Sequence, residues 1–164
     1  MNTASSPGIF RFSDPDTLFD DARLEVLVLF TTAPETVLAL RKAAGLASQL
    51  NARIELIVPE IVPYPLPIEH PPVAPSFLID RYQTIVQQAG IDADIRVCLC
   101  REPRAALAAT LKPGSLIMIG SRTRWWLTRE TRVARWLEAQ GHRVVLVDGR
   151  RCTRGLRLLH SLYR

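Results

Sequence analysis

The sequence predicts an α/β protein, a single three-layer α/β/α domain built on a five-stranded parallel sheet. Three observations carry this. Short, branched, apolar runs recur at residues 24–30, 53–58, 95–100, 116–119 and 143–147, uniform rather than alternating, as in strands covered on both faces. The stretches between them carry helix start and stop signals. A chain of 164 residues, 48% hydrophobic and 23% charged, matches one domain that buries roughly two thirds of its unfolded surface.

The elements follow in order. Residues 1–22, with Asp14, Asp16, Asp20 and Asp21 and few apolar neighbours, read as an irregular N-terminal leader. After the first strand, Thr32 with Glu35 three residues on forms a capping-box pattern, and Pro34 falls in the first turn. The helix so announced runs to about Leu50, with Val37, Leu40, Ala44 and Ala47 on one face and Asn51 as its stop. The second strand is 53–58, and the intervening crossover makes the pair parallel. Residues 59–75 hold seven of the twelve prolines, too many for a helix or central strand, so a stiff surface loop is expected, with a lid or docking segment as the alternative.

Ser76 is the expected cap of the next helix, which carries Phe77, Leu78, Tyr82, Ile85 and Val86 and stops at Gly90. Strand 95–100 follows, then an alanine-rich helix opened by Pro103 and stopped by Pro113-Gly114. Strand 116–119, a helix over about 128–140 ending at Gly141, and strand 143–147 complete the pattern. Residues 149–164 form a basic tail with five arginines and no acid. If helical, it places Leu156, Leu159 and Tyr163 on one side, so contact with an anionic membrane is an alternative to a loose tail.

The formal charge of +5 hides an asymmetry. Residues 1–100 hold seven basic and twelve acidic side chains, and residues 101–164 hold fourteen and four. That polarity favours anionic partners without choosing among them. No helix-turn-helix, zinc-finger or RNA-recognition signature points to a specific nucleic-acid site. The three cysteines do not form a disulfide framework. Cys98 and Cys100 share one strand face and read as buried thiols, since no second Cys/His pair completes a metal site. No apolar run reaches the ~20 residues of a membrane span. Residues 1–8 lack a basic region followed by an apolar core, so no signal peptide is expected and a soluble cytoplasmic protein is.

The candidate site lies at Leu116-Ile-Met-Ile-Gly120-Ser121-Arg122. A buried strand ends there in glycine, and an Arg- and Trp-rich loop leads into a helix, the place where open α/β sheets bind phosphates. Arg122 and Arg124 stand just beyond the strand end, and their guanidinium forks suit phosphate or carboxylate. Trp125 and Trp126 could stack a base. Arg132 and Arg135 are expected on solvent, and Trp136 with Val133 and Leu137 on the buried helix face. No histidine lies near a Ser or Cys nucleophile in sequence, and Ser121 is not in a G-x-S-x-G elbow. No catalytic residue and no metal site is therefore assigned.

From Leu24 to Asp148 the chain resembles the universal stress protein family in element order and length. Ala52-Arg-Ile-Glu-Leu-Ile-Val58 is similar to the family's second-strand entry, Leu116–Arg122 to its strand and first phosphate-loop glycine, and Arg143–Val147 to its last strand. The resemblance implies a Rossmann-like, adenine nucleotide alpha hydrolase-like fold over 23–148. It also implies ATP or AMP held around Gly120, Ser121, Arg122, Arg124 and Thr31, and a homodimer through strand 143–147. The chain departs from the family pattern in three places. Phe30-Thr31-Thr32 stands where nucleotide-binding members have an Asp, the final glycine pair falls on Val133-Ala134 or, aligned backward from the last strand, on Glu130-Thr131, and Thr123 occupies the second glycine position. A Cβ there narrows the approach of a phosphate to the backbone. The function expected is thus binding and regulation in stress response or signalling, by dimerisation and an unknown protein partner without turnover. An atypical nucleotide-binding protein using the Gly120 loop is the alternative.

Overall fold

The computed structural model describes residues 8–12, 24–68, 70–122 and 128–148. Ten elements follow one another: β1 (Gly8–Phe12), β2 (Glu25–Leu29), α1 (Ala33–Leu50), β3 (Arg53–Ile61), α2 (Pro75–Ala89), β4 (Asp94–Cys100), α3 (Pro103–Thr110), β5 (Leu116–Ser121), α4 (Arg129–Ala139) and β6 (Arg143–Asp148). They build one six-stranded sheet in the order β1-β4-β3-β2-β5-β6. The five strands expected from the sequence are parallel to one another, and helices cover both faces. One apolar cluster joins α1 and α2 to the sheet through Leu40, Leu56, Tyr82 and Val97. The second joins α3 and α4 to the opposite face through Leu107, Ile117 and Leu137.

The leader is not irregular throughout. Gly8–Phe12 forms β1, antiparallel to β4, with Ile9 opposite Cys98 and Phe12 opposite Ile95. The run Ile9-Phe-Arg-Phe has the aromatic and branched residues of a strand. It is short, however, and its partner lies more than eighty residues away, so nothing local announces it. The acidic residues 13–23 and the basic tail 149–164 lie outside the described residues.

The remaining differences have local causes. Strand β3 runs through Pro59 to Ile61 rather than stopping at Val58. Its pairing with β2 ends at Leu29–Ile57 while pairing with β4 continues to Cys100. Ile57 points its carbonyl to the β2 side, where it accepts from Phe30 N–H, and Pro59, two residues on, has the same orientation. Its missing N–H therefore faces the side where the ladder is already over. Helix α2 starts one residue before the expected cap, with Ala74 at the N-cap and Pro75 opening the first turn, a position where the absent donor costs nothing. Thr32 is the N-cap of α1 by position, but its side chain makes no capping bond. Glu35 is drawn inward instead, with the consequences described below. Helix α4 does carry its cap, Thr128 Oγ1 accepting from Thr131 N–H.

The proline-rich segment is fastened down. Ile68 is buried, and Arg101, just after β4, donates to the carbonyls of Val62 and Leu66. The same guanidinium lies 4.1 Å from the centroid of the Tyr64 ring. These contacts fit the structural-loop reading of residues 59–75. Among the described residues, no helix is long and apolar enough to cross a membrane.

Candidate functional site

Strand order reverses at β2, which has β3 on one side and β5 on the other. In a doubly wound sheet the crevice outside the strand ends at such a point is where ligands sit. Thr31, just past β2, and Gly120, Ser121 and Arg122, at the end of β5, meet there. Thr31 Oγ1 donates to the Gly120 carbonyl at 3.1 Å. Its backbone N–H donates to Thr36 Oγ1 at 3.2 Å, tying the crossing to the first turn of α1. Ser121, buried, pairs with Asp148 across β5 and β6. Arg124, with Thr123, Trp125 and Trp126, lies outside the described residues.

The residue that sequence reasoning assigned elsewhere is Glu35. Its backbone presses on Gly120 so closely that a Cβ at 120 would overlap the Glu35 carbonyl group and come within 2.9 Å of the Glu35 Cβ. Glycine at 120 thus serves the packing of α1 on β5, where a phosphate cradle would need the same space for an anion. The Glu35 side chain is folded into the crevice. Its Oε1 lies 3.7 Å from Arg122 Nε, and its Oε2 is buried and accepts no hydrogen bond among the described residues. The pattern Thr32-x-x-Glu35 reads locally as a capping box. Only the tertiary approach of β5, about ninety residues on, reveals the other use of the glutamate. The carboxyl stands beside Gly120 at the end of β5, and the Arg122 guanidinium is turned toward it. Arg122 itself is 87% exposed.

Two further groups near the strand ends are chemically quiet. Tyr82 of α2 donates to Glu60 Oε2 at 2.8 Å and meets Phe30 edge-on, ring centroids 5.0 Å apart. Burial, and then the bond to Glu60, hold its hydroxyl well above the usual phenol range, so it stays a hydrogen-bond donor. The Cys100 thiol is pushed up to about 11, first by burial and then by Cys98 and Glu60, which leaves little thiolate near neutral pH. On the other face Trp136 is half-buried beside Val133 and Leu137, and Arg132 and Arg135 are exposed, as the helical spacing predicts. Among the described residues no three His, Cys, Asp or Glu side chains converge as a metal site would require.

Fold and site together define an open, doubly wound α/β protein whose switch-point crevice is lined by the start of α1. No family model matches the sequence, and no curated protein matches it. Among solved structures, a protein from the universal stress protein family of Burkholderia pseudomallei aligns with 77% of this chain and 97% of its own. The identity is 19% and the TM-score 0.45.

Proposed function

We propose that this chain is a binding and regulatory protein of the kind its sequence resemblance to universal stress proteins implies, acting in stress response or signalling through a homodimer and a protein partner, without turnover. The observation that supports it is the packing of Glu35 on Gly120. The first turn of α1 fills the space next to Gly120 and brings the Glu35 carboxyl beside Arg122, a negative charge that disfavours an anion at this strand end. Strand β6 supports the dimer. Among the described residues it pairs with β5 on one side only, and Val144 and Leu146 are half-buried along it, as an edge open to strand addition would be.

The test is a thermal-shift series with ATP, ADP and AMP, mass spectrometry of gently purified protein, and light scattering on wild type and Val144→Lys. The proposal expects no shift, no carried nucleotide, a wild-type dimer and a monomeric variant. A monomeric wild type overturns the dimer, and turnover of a phosphate ester or anhydride overturns the non-enzymatic reading.

One observation favours a second reading, an atypical ATP- or AMP-binding protein. Arg122 is almost wholly exposed and held to Glu35 only at 3.7 Å, so it is free to turn to a phosphate above Gly120 and Ser121. A thermal shift with ATP or AMP that Arg122→Ala abolishes would establish that reading.

A further inference from the structure

The carboxyl of Glu35 is a buried acid with no donor on one of its oxygens. The residue is 9% exposed, and among the described residues its buried Oε2 accepts nothing. An oxygen left bare in this way costs more than an average hydrogen bond contributes. The described groups around it are engaged elsewhere. Thr31 Oγ1 gives its proton to the Gly120 carbonyl, and Thr31 N–H goes to Thr36 Oγ1. Arg122 approaches only Oε1, at 3.7 Å through Nε, from a side chain that is 87% exposed.

The position of that oxygen matters equally. It belongs to the first turn of α1, beside Gly120, where strand order reverses and open α/β sheets hold their ligands. A helix start by itself favours an anion. Here the chain supplies the anion, and what stays unmet is an acceptor. A ligand must therefore bring a donor, and a positive charge strengthens the bond it makes. Size narrows the choice further. Because Oε2 is buried, the way in is tight, which disfavours the broad planar fork of a guanidinium. An ammonium is a compact charge with three rotatable donors on a thin alkyl stem.

We infer that the crevice at Glu35 and Gly120 is a binding site for a primary alkylammonium group, with Glu35 Oε2 as its acceptor. Arg122 competes for the same carboxyl from the rim and gives way when the ammonium enters. This goes beyond the proposed function, which assigns no ligand to the crevice and places the dimer on the β6 edge.

The experiment follows the backbone amide signals of the isotope-labelled full chain by NMR while butylammonium, acetyl-lysine amide or tetramethylammonium is added at constant ionic strength. Saturable shifts are expected at Glu35, Thr36, Gly120 and Ser121 with the first two. None is expected with tetramethylammonium, which carries the charge but no N–H. Glu35→Gln keeps the shape, loses the charge and should weaken binding roughly tenfold or more. Arg122→Ala removes the competing cation and should strengthen binding about two- to fivefold, whereas an anionic ligand would respond in the opposite sense. Arg122 is exposed, so its variant decides the matter even where Glu35→Gln fails to fold. Binding of both amines supports the site, and the tighter of the two names the source, a free alkylamine or a lysine side chain presented by a protein. Shifts that are absent with both amines, equal with tetramethylammonium, or unaltered in Glu35→Gln overturn the proposal. A wild-type dimer that persists through such a failure leaves the proposed function standing.

Discussion

The backbone of Glu35 rests on the Cα of Gly120, and no side chain fits between them. Helix α1 can reach β5 only because position 120 has no Cβ. The same approach carries the Glu35 carboxyl into the crevice at the reversal of strand order.

Gly120→Ala should therefore be costly and Gly45→Ala should not. A methyl at 120 meets backbone rather than a flexible side chain, and overpacking of this kind costs about 1–3 kcal/mol. Gly45 lies exposed within α1 with nothing within 4 Å of a Cβ, so alanine there should stabilise by about 0.5–1 kcal/mol through helix propensity. Urea unfolding midpoints of the two variants should move in opposite directions.

Arg96 and Glu55 should behave as a unit. Arg96 Nε donates to Glu55 Oε1 at 2.7 Å and Nη2 to Oε2. Nη1 also reaches the Thr110 carbonyl at the end of α3 at 3.5 Å. Both residues are buried. Removing either partner leaves an uncompensated charge and should cost about 3–5 kcal/mol. The double variant Glu55→Leu/Arg96→Met should recover most of that, a difference that chemical denaturation of the three proteins would resolve.

The thiols predict an alkaline limit. Because the folded Cys100 titrates near 11 and the unfolded thiol near 9.0, the unfolded chain loses its proton first as pH rises. The stability that the neutral buried thiol contributes is complete below about pH 9 and declines between there and 11. Wild type should lose more stability than Cys100→Ser across that interval. In the native state near neutral pH, Cys98 and Cys100 should resist a thiol reagent that labels both after unfolding. Appreciable native labelling of either would contradict the burial seen here.

Arg101→Ala should loosen the proline-rich segment without unfolding the domain. It removes two hydrogen bonds to backbone carbonyls and the stacking on Tyr64, worth about 2–3 kcal/mol together. Limited proteolysis should then cut between Val62 and Ala74 faster than in wild type. An unchanged cleavage pattern would mean that Ile68 alone holds the segment.

Much of this architecture was legible from local signals. The five parallel strands are branched and apolar throughout, and Asn51, Gly90 and Gly141 mark helix ends with the positive φ their positions require. What was not legible depends on partners distant in sequence. Ile9-Phe-Arg-Phe becomes a strand only because the β4 edge receives it, and Pro59 is tolerated in β3 only because β2 has already ended. The site shows the same division. The strand end at Gly120 with Ser121 and Arg122 is read from the strand-loop-helix pattern, whereas Thr31, bonded to the Gly120 carbonyl, comes only from the family resemblance. The use of that glycine, and the inward turn of Glu35, depend on how α1 lies on β5, which no spacing within either segment encodes.

The place of β2 in the sheet has a consequence for biogenesis. Val26 finds its β3 neighbour, Ile54, within thirty residues, but its β5 neighbour is Leu116, ninety residues later. Until the ribosome has released β5, the growing chain holds an apolar central strand with one side bare, and α1 lacks the floor on which Glu35 rests. The first two thirds of the protein is thus no folding intermediate that can wait safely in water. It is an open sheet edge seeking a strand, and a chain stopped before residue 116 should be a chaperone substrate or an aggregate rather than a smaller domain.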